Sequence, residues 1–291
     1  MGRSYQIAIA SGKGGTGKTT IATSLSLSLA DSANVRYFDC DVEAPNGHLF
    51  LKPSFEETSK AAILIPKIDT DKCTVCGRCV EVCQFHALAK VGKKILVFPQ
   101  LCHGCGSCTW NCPEHAIQEI PNPIGVIERG RGLEDLVFWQ GKLTISEPMA
   151  TPIIRQLKKR STPLPNTIDI FDAPPGASCS VVETLRGVDF VLLVTEPTPF
   201  GLHDLKQMIG ILRDMKIPAG VVINRDGIGD DYLKETLDEY QIPVLLRIPF
   251  DRVLAENLAA GHTLVEVYPK YRETMQSLFQ KITKLIDEVA V

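Results

Sequence analysis

Short apolar runs alternate with segments whose apolar positions recur at helical spacing. Outside residues 67–120, six such runs are bounded by Gly, Pro or Asp, which is typical of buried parallel strands. They cover residues 5–11, 35–40, 167–173, 190–196, 219–225 and 243–249. This alternation predicts an α/β fold with a doubly wound, mostly parallel sheet. In such folds ligands bind at the carboxyl ends of the strands.

Residues 67–120 break that alternation and contain an internal repeat. Each half holds four cysteines at the same spacing, and the halves begin at Cys73 and Cys102. The stretch between them, KVGKKILVF, predicts a small hairpin. We therefore predict a compact inserted domain over 67–120, and one α/β domain built from 1–66 and 121–291.

Composition limits the possible functions. The chain has 291 residues, of which 44% are hydrophobic and 22% are charged, as in soluble globular proteins. A net charge of −3 gives no strong attraction to nucleic acid or membranes, and no apolar run reaches the ~18 residues of a membrane span. We expect no direct nucleic-acid binding and no stable membrane insertion. We expect no signal peptide, because the N-terminus leads straight into a predicted strand, and the clustered thiols favour the reducing cytoplasm.

A glycine-rich stretch follows the first predicted strand and precedes a helical pattern. It fits G-x-x-x-x-G-K-[ST], in which backbone N–H groups turn toward phosphate oxygens at a helix N-terminus. Lys18 is expected to neutralise the β- and γ-phosphates, and the Thr19 hydroxyl to bind Mg²⁺. The residues expected to bind ATP or ADP here are Gly12, Gly14, Gly15, Thr16, Gly17, Lys18, Thr19 and Thr20.

The cysteine repeat matches the run of two-cluster bacterial ferredoxins, C-x2-C-x2-C-x3-C. In that pattern three thiolates hold one cluster and the fourth reaches the other. We expect two [4Fe–4S] clusters, with ligands Cys73, Cys76, Cys79 and Cys112 for the first, and Cys102, Cys105, Cys108 and Cys83 for the second. Zinc is the alternative, although modules with two Cys-x2-Cys pairs explain two in-register runs of four poorly. Gln84 departs from the pattern, because ferredoxins usually have proline there.

The glycine-rich loop carries a second lysine, Lys13, which a general phosphate loop does not need. With it, KGGTGK resembles the deviant Walker A motif of the MinD/ParA/Mrp ATPases. DCD (39–41), IDIFDAPPG (168–176) and VTEPTPFGLHDLK (194–206) resemble further segments of that family. The likeness extends over nearly all of the α/β part. It implies that Lys13 crosses an ATP-bound dimer to the partner's phosphates and stabilises charge in the transition state.

The same resemblance implies roles for residues outside the loop. Those around the metal and the attacking water are Asp39, near Mg²⁺, Asp41, which orients the water, and Asp172, which holds Mg²⁺ through water. Gly176 would sense the γ-phosphate. On the base side, Asn224 occupies the position that contacts adenine, and Pro249 lies in the loop Ile248–Asp251, which resembles the family's base-side loop.

Two cysteines and the C-terminus lie outside these motifs. Cys40 is expected to be a buried core thiol. Cys179 lies seven positions after Asp172, as does a cluster ligand of the nitrogenase iron protein, a distant relative. It is either a bridging metal ligand or a residue packed at a helix start. Residues 271–291 are amphipathic with a polar face of mixed charge, which favours a docked helix over a membrane-surface helix.

The combined pattern resembles MinD/Mrp-type ATPases with an inserted 2[4Fe–4S] ferredoxin domain. It implies a cytoplasmic, Mg²⁺-dependent ATPase that pairs in the ATP state, with itself or with a paralogue. One hypothesis is ATP-gated electron transfer or metallocluster maturation with a redox or cluster-assembly partner. The alternative is a MinD/ParA-like recruitment or positioning switch, in which the ferredoxin is a docking or redox-sensing module. Six Lys/Arg against five Asp/Glu in 67–120 indicate no strongly charged docking face.

Overall fold

A nine-stranded sheet forms the centre of the molecule. The computed structural model describes residues 3–229 and 233–289, the side chain of Val289 excepted. The strands are β1 (Tyr5–Ala10), β2 (Asn34–Asp39), β3 (Ser54–Ile68), β4 (Leu88–Val91), β5 (Lys94–Val97), β6 (Ile117–Arg131), β7 (Val137–Leu143), β8 (Thr167–Asp172), β9 (Phe190–Thr195), β10 (Ala219–Asp226) and β11 (Val244–Pro249). The order in the large sheet is β11-β10-β9-β1-β8-β2-β7-β6-β3, and β4 pairs with β5 alone.

Helices cover both faces of the sheet. They are α1 (Lys18–Ala30), α2 (Gly47–Leu51), α3 (Arg78–Glu81), α4 (Ser107–Trp110), α5 (Thr151–Lys158), α6 (Cys179–Leu185), α7 (Pro199–Met215), α8 (Lys234–Tyr240), α9 (Arg252–Ala259), α10 (Leu264–Val267) and α11 (Tyr271–Val289). The core is divided into two apolar clusters, one on each face of the sheet. Among the described residues, no helix is both long and apolar enough to cross a membrane.

The six predicted strands are confirmed as β1, β2, β8, β9, β10 and β11, and every pair they form is parallel. The fully buried residues of β1, β8 and β9 explain why their sequences are continuously apolar. The predicted hairpin is also confirmed, as the antiparallel pair β4–β5.

Three strands of the large sheet, β3, β6 and β7, were not predicted. Strand β7 pairs with β2 in parallel, whereas β6 and β3 extend the sheet in antiparallel fashion. The prolines at 66, 121 and 123 in β3 and β6 weaken any strand signal. The chain accommodates them on the outermost strand pair, where the register shifts between Ala61 and Ala62, opposite Pro123.

Strands β3 and β6 form a long ribbon that carries the cysteine segment. Strand β7 ends at Leu143, which pairs with Gly125, but β6 begins at Ile117 and its pairing with β3 runs from there. At ~3.3 Å per residue, the ribbon projects ~26 Å past the end of β7. That end is also where β2 finishes, so residues 69–116 lie beyond the carboxyl edge of the parallel strands. The predicted boundaries at 66/67 and 120/121 fall within the two ribbon strands.

The C-terminal helix α11 packs on the protein, as predicted. Met275, Leu278, Ile282 and Ile286 are buried in the same apolar cluster as the inner face of α1. Arg272 and Gln276 donate hydrogen bonds to the carbonyls of Leu27 and Ser28 in α1, at 2.8 and 2.9 Å. The apolar stripe of the helix is therefore used inside the domain.

Candidate nucleotide site and cysteine cavities

The phosphate loop connects β1 to α1 at the carboxyl edge of the sheet. Gly17 has φ +97° and precedes the first residue of α1. A Cβ on Gly17 would lie 2.4 Å from Nδ2 of Asn224, which donates a 2.8 Å hydrogen bond to the carbonyl of Thr16. The loop therefore requires glycine at this position, both for its left-handed backbone and for the close approach of Asn224.

Two buried carboxylates lie beside the loop because β2 and β8 are neighbours in the sheet. Their register places Asp39 opposite Asp172, the last residue of each strand. Both residues are at most 1% exposed. The Thr19 hydroxyl donates a 2.6 Å hydrogen bond to Oδ2 of Asp172. The structure therefore brings together three of the residues predicted to surround Mg²⁺.

Asp172 has a second partner that the sequence did not predict. The hydroxyl of Tyr37, a fully buried residue of β2, donates a 2.9 Å hydrogen bond to the same Oδ2 atom. The other carboxylate oxygen, Oδ1, is buried without a hydrogen-bond partner among the described residues, as is Oγ1 of Thr16 in the loop. Because buried polar atoms normally have partners, these two oxygens fit a site completed by an ion or ligand.

The neighbouring Asp39 has a different environment. Its carboxylate accepts hydrogen bonds from the backbone N–H groups of Asp41, Asn46 and Gly47, at 3.1, 3.0 and 2.8 Å. These bonds close the loop between β2 and α2. The side chain of Asn46 accepts a bond from the Thr19 hydroxyl at 2.9 Å. Asp39 thus positions the loop that carries Asp41.

Burial shifts the pKa values of the acids upward and the pKa of the lysine downward. Burial raises the pKa of Asp39 well above its usual range, and Asp172 adds to that shift. Burial also raises the pKa of Asp41 to about 6, again with Asp172 contributing. For Lys18, burial lowers the pKa although Asp172, Asp41 and Asp39 oppose the shift. The site is therefore electrostatically unfavourable as it stands and is suited to receive a cation.

A cavity of about 360 Å³ lies over these groups. One side is formed by the phosphate loop with Asp41 and Asn46, and the other by Arg225 and the loop that follows β11. Its lining residues are Gly14, Gly15, Gly17, Lys18, Thr19, Thr20, Asp41, Asn46, Phe50, Pro175, Asn224, Arg225, Pro249, Phe250, Asp251, Leu254, Ala255 and Leu258. Phosphate-binding groups and an apolar wall thus face one another across a space of ligand size.

Lys13 and Gly176 lie beside the cavity and are not among its lining residues. The ammonium of Lys13 forms an ion pair with Glu196, at the end of β9. Glu196 also pairs with Arg225 at 3.2 Å and is therefore shared between two cations. Gly176 has φ +90° and donates a 3.1 Å hydrogen bond to the Ser11 carbonyl. In this structure Lys13 is thus paired within its own chain.

The two predicted sets of cysteines line two separate cavities. The first cavity is lined by Cys73, Cys76, Cys79 and Cys112, and the second by Cys83, Cys102, Cys105 and Cys108. The fourth cysteine of each run lies in the cavity of the other run, as the ferredoxin pattern requires. Among the residues that the structure describes, no three His, Cys, Asp or Glu are grouped as ligands of a single metal ion.

The two cysteines outside the repeat differ in exposure. Cys40 is 0% exposed, which confirms the predicted core thiol. Burial raises its pKa far above the usual range, so the thiol stays protonated. Cys179 begins α6 and is exposed, so the alternative of a residue packed at the helix start is wrong. The reason is that Cys179 lies on the outer face of α6, whereas Val181 and Leu185 are buried.

Sequence reasoning missed Tyr37, Asn46 and Glu196. Tyr37 lies in an apolar strand, where an aromatic residue is most simply explained as core. Its polar tip was the only signal that it could reach a functional group. Asn46 and Glu196 follow the ends of β2 and β9, at the sheet edge where ligands bind, and that position could have identified both.

The fold and the phosphate loop define a P-loop NTPase. Residues 7–265 match the family described as the CobQ/CobB/MinD/ParA nucleotide binding domain. The chain belongs to this family.

Several relatives resemble the chain over most of its length. Two uncharacterized proteins of Methanocaldococcus jannaschii, MJ0578 and MJ0579, are each 32% identical to it; the first match covers 98% of this chain and 99% of the relative, the second 89% and 91%. A cytosolic Fe-S cluster assembly factor, a NUBP2 homolog of Trichoplax adhaerens, is 25% identical over 90% of this chain and 87% of its own length.

Solved structures support the same fold. The septum site-determining protein MinD of Pyrococcus horikoshii, complexed with Mg-ADP, superposes with a TM-score of 0.56. The match covers 98% of this chain and 96% of that protein at 19% identity. At this identity the likeness shows the fold alone.

The raised pKa of Asp41 gives a testable pH dependence for the nucleotide-free protein. A carboxyl whose pKa is higher in the folded state than unfolded destabilises the fold as pH rises through the interval between the two values, here roughly 4 to about 6. Without solvent screening, the pKa shift of Asp41 corresponds to ~3 kcal/mol in the free energy of unfolding. Because Asp41 is partly exposed, we expect about 1–2 kcal/mol. We expect Asp41→Asn to raise the free energy of unfolding by this amount at pH 7 and not at pH 4.

Urea unfolding without nucleotide or Mg²⁺ at both pH values measures the effect. Glu57→Gln is the matched control, because Glu57 is an exposed acid on β3, outside the site. An equal gain at both pH values, or the same gain in the control, would contradict the assigned burial of Asp41.

Proposed function

We propose that this protein binds and hydrolyses Mg-ATP in a nucleotide-dependent dimer and carries two [4Fe–4S] clusters, so that ATP gates electron transfer or metallocluster maturation. The main observation in support is that one chain combines the phosphate-loop cavity with two cavities that are each lined by four cysteines. Relatives named as MinD, ParA and Fe-S cluster assembly factors support both halves of the proposal.

The residues present fit Mg²⁺ and nucleotide. Oδ1 of Asp172 and Oγ1 of Thr16 are buried without partners, and hard oxygen ligands beside phosphate are what Mg²⁺ prefers. Thr19 and Asp172 would hold the ion, which would neutralise charge on the phosphates. Lys18 binds the β- and γ-phosphates, and Asp41 aligns the attacking water. The wall formed by Phe250, Leu254 and Leu258 accommodates the base.

Dimer formation requires Lys13 to leave its present partner. In the proposed ATP state Lys13 exchanges Glu196 for phosphate oxygens of the opposite protomer. Glu196 then retains Arg225, so its buried carboxylate is not left without a cation. The second protomer is another copy of this chain or a paralogue; the pair of related proteins in one archaeon is compatible with the latter.

The cysteine cavities fit iron–sulfur clusters better than isolated zinc ions. Each cavity draws three ligands from one run and one from the other, which interlocks the two halves of the segment. Clusters bound there would supply one-electron redox chemistry. Cys73, Cys76, Cys79 and Cys112 would hold the first, and Cys83, Cys102, Cys105 and Cys108 the second. We propose a cytoplasmic location, because such thiols and clusters persist in reducing surroundings.

The nucleotide part of the proposal is tested by two substitutions. Lys18→Ala removes a charged donor to phosphate, worth about 1.5–3 kcal/mol, so ATP affinity should fall roughly 10- to 150-fold. Asp41→Ala should still bind ATP, but hydrolysis should slow by about 10²- to 10⁴-fold and the dimer should accumulate. Fluorescent-nucleotide titration, phosphate release and size-exclusion chromatography measure these effects. Normal hydrolysis by Asp41→Ala would show that another group aligns the water.

The metal content tests the cysteine assignment. Anaerobically prepared protein should hold about eight iron atoms and matching sulfide per chain. Cys76→Ala and Cys105→Ala should each lower iron toward about four, because each removes a ligand of a different cluster. Cys179→Ala is the matched control, as an exposed cysteine outside both cavities. Stoichiometric zinc would support the zinc alternative, and iron loss in the control would support a bridging site at Cys179.

The alternative function, a MinD/ParA-like recruitment switch, is favoured by structural relatives named for septum-site determination and for the ParA family. Redox titration followed by EPR, with ADP and with ATP held by Asp41→Ala, distinguishes the two. Gated electron transfer requires a nucleotide-dependent shift of ~30–60 mV in a one-electron couple, about three- to tenfold in equilibrium constant. Identical potentials in both states would favour recruitment.

A further inference from the structure

The two halves of the cysteine repeat differ in charge at one pair of equivalent positions. The repeat offset that relates Cys73 to Cys102 also relates Gly77 to Gly106, and Lys90 to Glu119. In the structure each of these side chains lies against the glycine of its own half. A basic residue therefore stands beside the first cysteine loop, and an acidic residue stands at the matching place beside the second.

Glu119 is in contact with the second cavity. It is one of the residues that line this cavity, and its Oε1 lies 3.1 Å from the position that a Cβ on Gly106 would occupy. Glu119 forms no ion pair with any described residue.

Lys90 has the corresponding place in the first half. Its Cδ lies 3.8 Å from the position of a Cβ on Gly77, the residue after Cys76. It is exposed and makes no ion pair among the described residues. The lining of the first cavity also includes Arg78 and Glu114. Arg78 is paired with Glu81 at 3.2 Å, so Lys90 offsets the charge of Glu114 on this side. The first side is therefore balanced, whereas the second carries the negative charge of Glu119.

One contact in the second half acts against Glu119. The Ser107 hydroxyl lies 3.5 Å from Sγ of Cys105, and a hydrogen bond to a ligating sulfur favours the reduced cluster. Because the hydroxyl is neutral, this contact contributes a dipole and not a full charge. A full carboxylate charge in the same cavity outweighs it, because charge interactions fall off only slowly with distance.

The two cavities also differ in their distance from the sheet. The second is lined by Leu64 and Pro66 of β3, whereas the first is lined by Ile68 and Ile117 at the end of the ribbon. The cysteine set beside Glu119 is therefore nearer to the nucleotide-binding sheet, and the set beside Lys90 is at the tip.

We infer that Lys90 and Glu119 set unequal reduction potentials for the two clusters, so that the cluster at the tip is reduced first. The inference depends on the proposed binding of two clusters. A negative charge disfavours an added electron and a positive charge favours it. An electron given to the cluster near the sheet by an external one-electron reductant would pass on to the tip cluster, so that the first would be reoxidised as the second is reduced. A partner at the tip is thus positioned to exchange electrons with the cluster of higher potential.

The test is an anaerobic EPR redox titration of the full chain. The wild type should show two one-electron couples, and Cys105→Ala should remove the lower one. Glu119→Gln should raise the reduction potential of the lower couple by ~59 mV, which is about a tenfold change in its equilibrium constant. The potential of the upper couple should stay unchanged. Lys90→Gln should lower the reduction potential of the upper couple alone. Each substitution should therefore reduce the difference between the two potentials, one by raising the lower potential and the other by lowering the upper.

Two matched controls make the same charge changes elsewhere. Glu57→Gln lies on β3 toward the opposite end of the ribbon, and Lys93→Gln lies in the turn beyond Lys90; both residues are exposed. Shifts equal to those of the controls, or loss of the upper couple in Cys105→Ala, would overturn this inference alone. A wild-type chain that binds no iron would overturn the proposed clusters as well. If one variant fails to fold, the other tests the assignment independently.

Discussion

Burial of like charges beneath the phosphate loop is the constraint around which the nucleotide site is organised. The register of β2 against β8 places Asp39 opposite Asp172 and removes both from water. Removing charges from water is costly unless they are paired and hydrogen-bonded. Lys18 supplies one positive charge, while Tyr37, Thr19 and three backbone N–H groups supply hydrogen bonds. Among the described residues, one oxygen of Asp172 has no hydrogen-bond partner, and that deficit suits the site to a cation.

The sequence allowed most of this site to be predicted because its parts are local. A glycine-rich turn after a strand and an acid at a strand end each carry their signal within a few residues, and parallel strands bring such ends to one edge. Tyr37 and Glu196 escaped prediction because their roles depend on partners far along the chain, at Asp172 and Lys13. No periodicity or spacing records such a pairing, which exists only once the sheet has formed.

The ribbon was missed for a different physical reason. Strands β3 and β6 lie at one edge of the sheet, where only some positions are buried and prolines are tolerated, so they lack a continuous apolar run. Yet β3 and β6 stay paired from the edge of the core sheet to the cysteine segment, and only two register shifts interrupt the regular pairing. A displacement of β7, which pairs with both β2 and β6, would therefore move the base of the ribbon. This continuity is a mechanical connection between the nucleotide site and the cysteine cavities.

Sequence repetition and net charge describe the cysteine segment incompletely. The repeat predicts two equivalent sites, and the near balance of acidic and basic residues predicts no strongly charged docking face. The fold separates those charges: the pairs Asp69–Lys72 and Arg78–Glu81 neutralise one another, while Lys90 and Glu119 stand unpaired beside different cavities. In clusters bound as proposed, an added electron would respond to the potential at its own cluster, to which nearby charges contribute more than distant ones. Opposite charges at a single equivalent position would therefore give two sites with the same ligand spacing different reduction potentials.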